Sequence, residues 1–225
     1  MPALIGIVGT GILIWLGVWQ LQRLEWKKDV LAQIDDRMQA VPIALPPEPN
    51  EADHRFQPVA IRGTADTDQS QFIFTSVKNQ GVWFRLIQPL DLVDGRRVLV
   101  ERGLVRPESI ETLDLDADIA VSGSLHWPDE ADAFTPDPDP VSGQWYARDL
   151  DALADVTGAE PILVVASQVI PSDDLVLPFP LDPSGIPNDH LQYAVTWFGL
   201  ALVWVGMTGL WLKRLYAWRH LDRRR

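Results

Sequence analysis

The 225-residue chain carries a formal net charge of −12 and contains no cysteine. Without cysteine it cannot form a disulfide, use a thiolate nucleophile, ligate an iron–sulfur cluster or attach a c-type haem covalently. The acidic balance argues against a nucleic-acid partner, because phosphate binding depends on clustered lysine and arginine.

The first predicted element is a transmembrane helix at residues 1–22. Residues 2–22 carry no charged side chain, and at about 1.5 Å of rise per residue such a segment spans a hydrocarbon core of roughly 30 Å. A cleaved signal peptide is the alternative. The residues that follow, Trp19-Gln20-Leu21-Gln22-Arg23, offer no small-residue cleavage site. We therefore expect a retained membrane anchor.

Residues 23–189 are predicted to form one mostly-β domain that begins with a juxtamembrane helix. The helix is expected to continue to about residue 41, before Pro42, because apolar or aromatic side chains recur at every fourth position. These side chains are Trp26, Val30, Ile34 and Met38.

Alternating or continuous apolar runs then predict strands. The predicted strands are 56–63, 71–75, 82–90, 96–104, 117–125 and 161–169. Asp94-Gly95 predicts a hairpin between the third and fourth of them. One helix is expected at 150–157, with Asp149 as its N-cap and Gly158 just past its end.

A second apolar segment at residues 190–212 predicts a second transmembrane helix, and a basic tail follows it at 213–225. The tail carries six lysines or arginines and one acid, which is typical of a cytoplasmic flank. Arg23, Lys27 and Lys28 beyond the first span are the opposing signal, and the tail outweighs them. We expect both termini in the cytoplasm, and a membrane α+β protein whose two transmembrane helices flank a mostly antiparallel β extracytoplasmic domain.

Sequence motifs do not indicate an enzyme. The chain has no G-x-S-x-G, no glycine-rich phosphate loop and no H-E-x-x-H. Asp114, Asp116 and Asp118 resemble the start of an EF-hand loop, but Ile119 stands where that loop needs glycine and Leu125 where it needs glutamate. An acidic loop with Asp129, Asp132, Asp137 and Asp139 is interrupted by prolines and favours a solvated surface.

The second span carries a stripe of aromatic residues that begins with a histidine. The stripe has one member every seven residues, which keeps it on one helix face. Its members are His190, Trp197, Trp204, Trp211 and Trp218. Gly199 and Gly206, on nearly the opposite face, are expected to let another helix approach closely. Physical chemistry leaves two alternatives for His190: a ligand of haem or another planar cofactor, or an interfacial hydrogen-bonding side chain.

Four motifs in order resemble the Surfeit locus family of cytochrome c oxidase assembly factors. They are WQLQRLEWK at 19–27, RFQPV at 55–59 with Gly63, VLVERG at 98–103 and NDHLQYAVTWF at 188–198. Two positions depart from that family's usual pattern: Leu104 stands where tryptophan is common, and Asp189 where asparagine is common.

The resemblance implies a membrane protein that assists insertion of haem a into oxidase subunit I, with its large domain in the periplasm or the mitochondrial intermembrane space. Our hypothesis is a haem a chaperone in a bacterial inner membrane, with a periplasmic domain. The resemblance also implies that His190 ligates the haem iron. On this interpretation Tyr193, Trp197 and Trp19 shape the pocket and Arg23 pairs with a propionate. Subunit I and haem a synthase are the expected partners. A cofactor-free scaffold that holds oxidase intermediates through its acidic β domain is the alternative, and a membrane-anchored envelope sensor is a third.

Overall fold

A computed structural model describes residues 1–131, 135–136, 144–182 and 188–222, without the side chains of Gln144 and of residues 218–222. The chain forms two compact units, residues 1–33 with 183–225 and residues 34–182. Parts of the sequence predictions lie outside the described residues. They are Asp132, Asp137 and Asp139 of the acidic loop, the Trp218 side chain at the end of the stripe, and Arg223, Arg224 and Arg225 of the tail.

Two long helices dominate the first unit. Helix α1 runs over Pro2–Met38 and helix α4 over His190–Asp222. Both are long and apolar enough to cross a membrane. As the four-residue spacing predicts, α1 continues through its charged second half and ends before Pro42. Most large apolar side chains of the apolar segments are exposed, as expected of helices whose surface faces lipid rather than a protein core.

The second unit is built on seven strands. They are β1 Pro58–Ala65, β2 Gln71–Val77, β3 Gly81–Leu92, β4 Arg97–Val105, β5 Asp118–His126, β6 Gln144–Trp145 and β7 Glu160–Ile170. Their order is β1-β5-β7-β4-β3-β2-β6, and β1 also pairs with β3, which closes five of them into a barrel. Among the pairings of these seven strands, β2–β6 and β4–β7 are parallel and the others antiparallel. The predicted mostly antiparallel sheet is confirmed, and β3 and β4 form the hairpin predicted from Asp94-Gly95.

The barrel interior is filled by one apolar side chain after another from its five strands. Val59, Leu90, Val100, Val121 and Val164 are all almost completely buried and belong to one cluster. Each comes from a different strand. Alternate residues of a strand point to the same face, so every strand places side chains in the interior. The aliphatic side chains of this cluster supply hydrophobic stabilisation to the unit.

Helix α3, Leu150–Thr157, covers one outer face of the barrel. Leu150 and Leu153 pack in a second buried cluster with Leu99 and Leu163 of the strands. The Asp149 side chain accepts a hydrogen bond from the Ala152 main-chain N–H at 3.1 Å, and Gly158 has the left-handed conformation at φ 67°. The predicted helix and both of its end signals are confirmed.

The structure also contains short elements that the sequence analysis did not predict. They are helix α2 Glu51–His54, 3₁₀ helices at Thr67–Gln69 and Pro107–Thr112, and strand β6. Elements of two to six residues are too short to show a hydrophobic period.

A buried ionic network crosses the same outer side of the unit. Glu101 of β4 is completely buried and pairs with Arg85 of β3 and with Arg148, whose Nη1 lies 2.8 Å from the Glu101 carboxylate. Arg148 also binds the carboxylate of Glu130. Burial alone would lower the pKa of Arg148, but the hydrogen bonds and charges of Glu130 and Glu101 raise it. Arg148 therefore stays cationic in its buried position.

Candidate cofactor site between the two apolar helices

His190, the predicted ligand, lies at the start of α4 in contact with α1. Its Nδ1 is 2.8 Å from Oε1 of Gln20, and the pair is partly buried. An amide oxygen only accepts hydrogen bonds, so Nδ1 carries the proton and donates it to Gln20. In the neutral ring Nε2 then holds the free lone pair, which is the form that binds a metal. The residues present therefore fit an axial histidine ligand.

Farther along the same two helices, three glycines of α1 lie in close contact with side chains of α4. A Cβ placed on Gly6 would lie 2.2 Å from Cγ2 of Thr208, and one on Gly9 would lie 2.6 Å from Nε1 of Trp204. A Cβ on Gly17 would likewise lie 2.7 Å from the ring of Phe198. These distances are shorter than van der Waals contact, so only glycine allows this approach.

Each helix has a pair of buried residues that are seven positions apart. In α4 these are Ala194 and Ala201, which are 1% and 5% exposed. In α1, Gly17 and Leu24 are buried with the same spacing. A seven-residue repeat is the signature of two helices that pack along a coiled-coil seam. His190 and Trp204 lie on the face of α4 that packs against α1, because both contact α1.

The prediction that Gly199 and Gly206 receive the first helix is wrong. No atom lies within 4 Å of a Cβ built on either residue among the part of the chain that the structure describes. The small residues of the interface belong to α1 instead. The physical reason is that the tryptophan side of α4 is itself the contact face, and large rings there need glycines opposite them.

The other predicted site residues lie on the same two helices. Trp197, one heptad after His190, is partly buried. Tyr193 is 56% exposed and Trp19 is 46% exposed. Arg23 stacks its guanidinium 3.9 Å from the ring centroid of Trp26. The structure thus places His190 against α1, where it contacts Gln20. Arg23 contacts Trp26.

Gln20 is the site residue that the sequence analysis missed. It falls inside the WQLQRLEWK motif and in a segment without charges, where an amide side chain is costly unless it finds a partner. Gly6, Leu13 and Gln20 are each seven residues apart. This spacing would have placed Gln20 on the packed face of the helix. A buried Oδ1 of Asn188 has no hydrogen-bond partner among the described residues, and it lies two residues before His190.

The VLVERG motif has a structural explanation in the β unit. Glu101 belongs to the ionic network. Arg102 is 2% exposed and donates from Nη1 to the Gln88 side chain at 3.1 Å and to the Asp116 carbonyl at 3.2 Å. Gly103 has φ 149°, and a Cβ there would lie 2.2 Å from the carbonyl oxygen of Leu177. Each residue of this Glu-Arg-Gly triplet therefore has a structural role: an ion pair, hydrogen bonds and a close backbone contact, in that order.

Comparison with known proteins agrees with the motifs. The model of the SURF1 family matches residues 7–202. The chain belongs to the SURF1 family. Surfeit locus protein 1 of Homo sapiens is 29% identical over 229 residues, which cover 88% of this chain and 72% of that relative.

Other SURF1 family relatives match over a similar share of their length. Surfeit locus protein 1 of Mus musculus is 30% identical over 212 residues, covering 82% of this chain and 67% of the relative. The protein of the same name from Gallus gallus is 31% identical over 215 residues, with the same two shares, 82% and 67%. The SURF1 match includes Gln20 and His190, since both lie inside residues 7–202.

Proposed function

We propose that this chain is a non-enzymatic assembly factor that assists the insertion of haem a into subunit I of cytochrome c oxidase. The SURF1 family is known for cytochrome oxidase assembly factors. Within that family role, a protein that handles haem a needs an apolar surface for the porphyrin and a ligand for the iron. The two apolar helices and His190 provide both.

The geometry of His190 is the observation that carries the proposal. Its Nδ1 donates to Gln20, so its Nε2 is available as a lone-pair donor to iron. Tyr193, Trp197 and Trp19 offer flat aromatic faces of the kind that pack against a porphyrin. Haem a is cargo in this proposal, and these residues bind and orient it until it is passed on.

Arg23 is proposed as the partner of a haem propionate. The Cζ atom of its guanidinium lies over the Trp26 ring, 3.9 Å from the centroid, and an indole face accepts no conventional hydrogen bond from the guanidinium N–H groups. A carboxylate prefers the edge of a guanidinium, because it can accept two parallel hydrogen bonds there. Trp26 would then orient Arg23.

We further propose that both helices span a bacterial inner membrane, with both termini in the cytoplasm and the β unit in the periplasm. The basic residues of the tail at 213–225, which include the end of α4, support this orientation. Subunit I and haem a synthase are the proposed partners, because one receives haem a and the other supplies it. A carrier that must release its cargo is expected to bind haem a weakly alone and more tightly with a partner.

A cofactor-free scaffold is the second candidate. The His190–Gln20 contact favours a scaffold, because a hydrogen bond between two apolar helices holds them together without any cofactor. The acidic β unit would then hold the oxidase subunits. This alternative predicts loss of assembled oxidase rather than loss of haem a from it.

Complementation separates the two functions. Cells that lack the chain are supplied with the natural protein, with His190→Ala, or with His54→Ala as a histidine control in the β unit. Haem a is measured per copy of subunit I. The proposal predicts normal subunit I with a reduced haem a content for His190→Ala only. Normal haem a per subunit I, with fewer subunits assembled, supports the scaffold instead.

A further inference from the structure

We propose that Gln20 is a positioning residue, whose amide oxygen fixes the tautomer and orientation of His190 and so sets the affinity and reduction potential of haem bound through Nε2. This inference rests on the proposed function. It begins from the 2.8 Å contact between Nδ1 and Oε1.

The contact selects one neutral form of the ring. Free neutral imidazole in water populates both tautomers, and the hydrogen bond made by one nitrogen decides which nitrogen carries the proton. Gln20 offers an acceptor to Nδ1, so the Nδ1–H form is stabilised. In that neutral form Nε2 carries the lone pair, so binding through it needs no change of tautomer.

The contact also fixes the direction of the ring. Gln20 is partly buried on α1, and the glycine contacts of Gly6, Gly9 and Gly17 hold α1 against α4 over the same seam. A side chain that rotates freely would present Nε2 over a wide range of angles. A ring tied to the neighbouring helix presents Nε2 along one direction, which lowers the entropy lost when iron binds.

The chemical nature of the acceptor tunes the ligand. Histidine ligands of metals generally donate their second N–H to a carboxylate, a carbonyl or water, and this partner governs ligand basicity. An amide oxygen is a neutral acceptor, so it raises basicity less than a carboxylate does. Gln20→Glu should therefore make His190 a stronger donor and shift the reduction potential of bound haem to more negative values.

If Gln20 only held the two helices together, its variants would give a different pattern of results. Glutamine and histidine side chains also join helices in membranes by hydrogen bonding. In that case Gln20→Leu would lower stability but, once the helices are paired, would leave the haemin affinity and the reduction potential of bound haem unchanged. These two quantities are therefore the readouts that a purely structural role does not move, while the tautomer shows whether the hydrogen bond has been removed.

The test uses the full chain in detergent with ¹⁵N-labelled histidine, first without haem and then titrated with haemin. The variants are Gln20→Leu, Gln20→Glu and Gln22→Leu, the last being a matched amide on the exposed side of the same helix. His190→Ala identifies the His190 ring signals in the ¹⁵N spectrum. Circular dichroism checks that each variant retains its helices.

The natural protein, Gln20→Glu and Gln22→Leu should show His190 protonated at Nδ1, and Gln20→Leu should lose that preference. Gln20→Leu should weaken haemin binding by about 10- to 100-fold. Gln20→Glu should retain binding with a more negative potential, and Gln22→Leu should match the natural protein.

Two results would overturn the inference, and only the second would also overturn the proposed function. If haemin binding is lost in His190→Ala while Gln20→Leu keeps the natural affinity and tautomer, Gln20 has no positioning role and the proposed function stands. If the natural protein binds no haemin while Nδ1–H is intact, the proposed function fails, and the positioning role fails with it.

Discussion

The indole N–H of Trp204 donates to the main-chain carbonyl oxygen of Gly6 at 3.2 Å, across the two apolar helices. A tryptophan in the middle of an apolar helix must satisfy its N–H, because an unpaired donor is costly in an apolar environment. Gly9 makes room for the indole, since a Cβ there would lie 2.6 Å from its nitrogen. The interface therefore depends on glycines of α1 and on large residues of α4.

Gly6→Leu should separate the helices, whereas Gly206→Leu should not. A Cβ at Gly6 meets Thr208 at 2.2 Å, while the space around Gly206 is open. We expect Gly6→Leu to lower stability by about 1–3 kcal/mol, as is usual for overpacking, and Gly206→Leu to change it little. Thermal unfolding of the full chain in detergent measures both. Equal losses would contradict the assignment of the packed face.

Arg148→Met should be among the most destabilising changes in the β unit. It leaves buried Glu101 with Arg85 alone and removes the partner of Glu130. Removing one partner of a buried ion pair costs about 3–5 kcal/mol. The control is Arg97→Met, whose pairs with Asp66 and Asp91 are more exposed and should contribute less than about 1 kcal/mol. Similar unfolding midpoints for the two variants would refute the network's role.

His126 should make the protein less stable as the pH falls below 6.5. Burial, followed by the charges of Arg148 and Arg55, lowers the pKa of His126 from 6.5 to about 4. The unfolded chain therefore takes up the proton first, and stability that is present above pH 6.5 is lost on the way down to pH 4.

The size of this effect follows from the same pKa difference. Between pH 7.5 and 4.5 it amounts to about 2–3 kcal/mol. His126→Phe removes the titrating group, together with a buried Nδ1 that has no partner among the described residues. Denaturant unfolding at both pH values should show a smaller difference for the variant. An unchanged difference would show that other groups cause it.

Reporter fusions test the proposed orientation. A reporter that is active only outside the cytoplasm should work when fused after Asp137 and fail when fused after Arg225, because the basic tail is expected to remain inside. A cytoplasmic reporter should give the inverse result at both positions. Activity of the periplasmic reporter at the C-terminus would reverse the assigned topology.

Local patterns were sufficient to predict most of the fold. The six longer strands and α3 have a clear hydrophobic period, a hairpin dipeptide or a capping residue, and each of them forms close to the predicted positions. Strand β6 escaped prediction because two residues carry no period and its partner β2 lies about seventy positions away in the chain. Closure of the barrel through β1 and β3 is a long-range pairing of the same kind.

The candidate site was only partly readable from the sequence. The heptad spacing of His190 and Trp204 correctly marked one face of α4, but spacing alone does not say which face meets α1. The glycines of α4 suggested the wrong face, because small residues on one helix are informative only when the opposite surface is known. Gln20 could be recognised only after the structure placed it beside His190.

The most direct test of haem binding through His190 is the absorption spectrum of the full chain, purified after expression together with a haem a synthase. The natural protein and His54→Ala should show the Soret band of bound haem a, while His190→Ala should be inserted in the membrane in equal amount and lack that band. A Soret band of full strength in His190→Ala would contradict the ligand assignment and leave the cofactor-free scaffold as the better account.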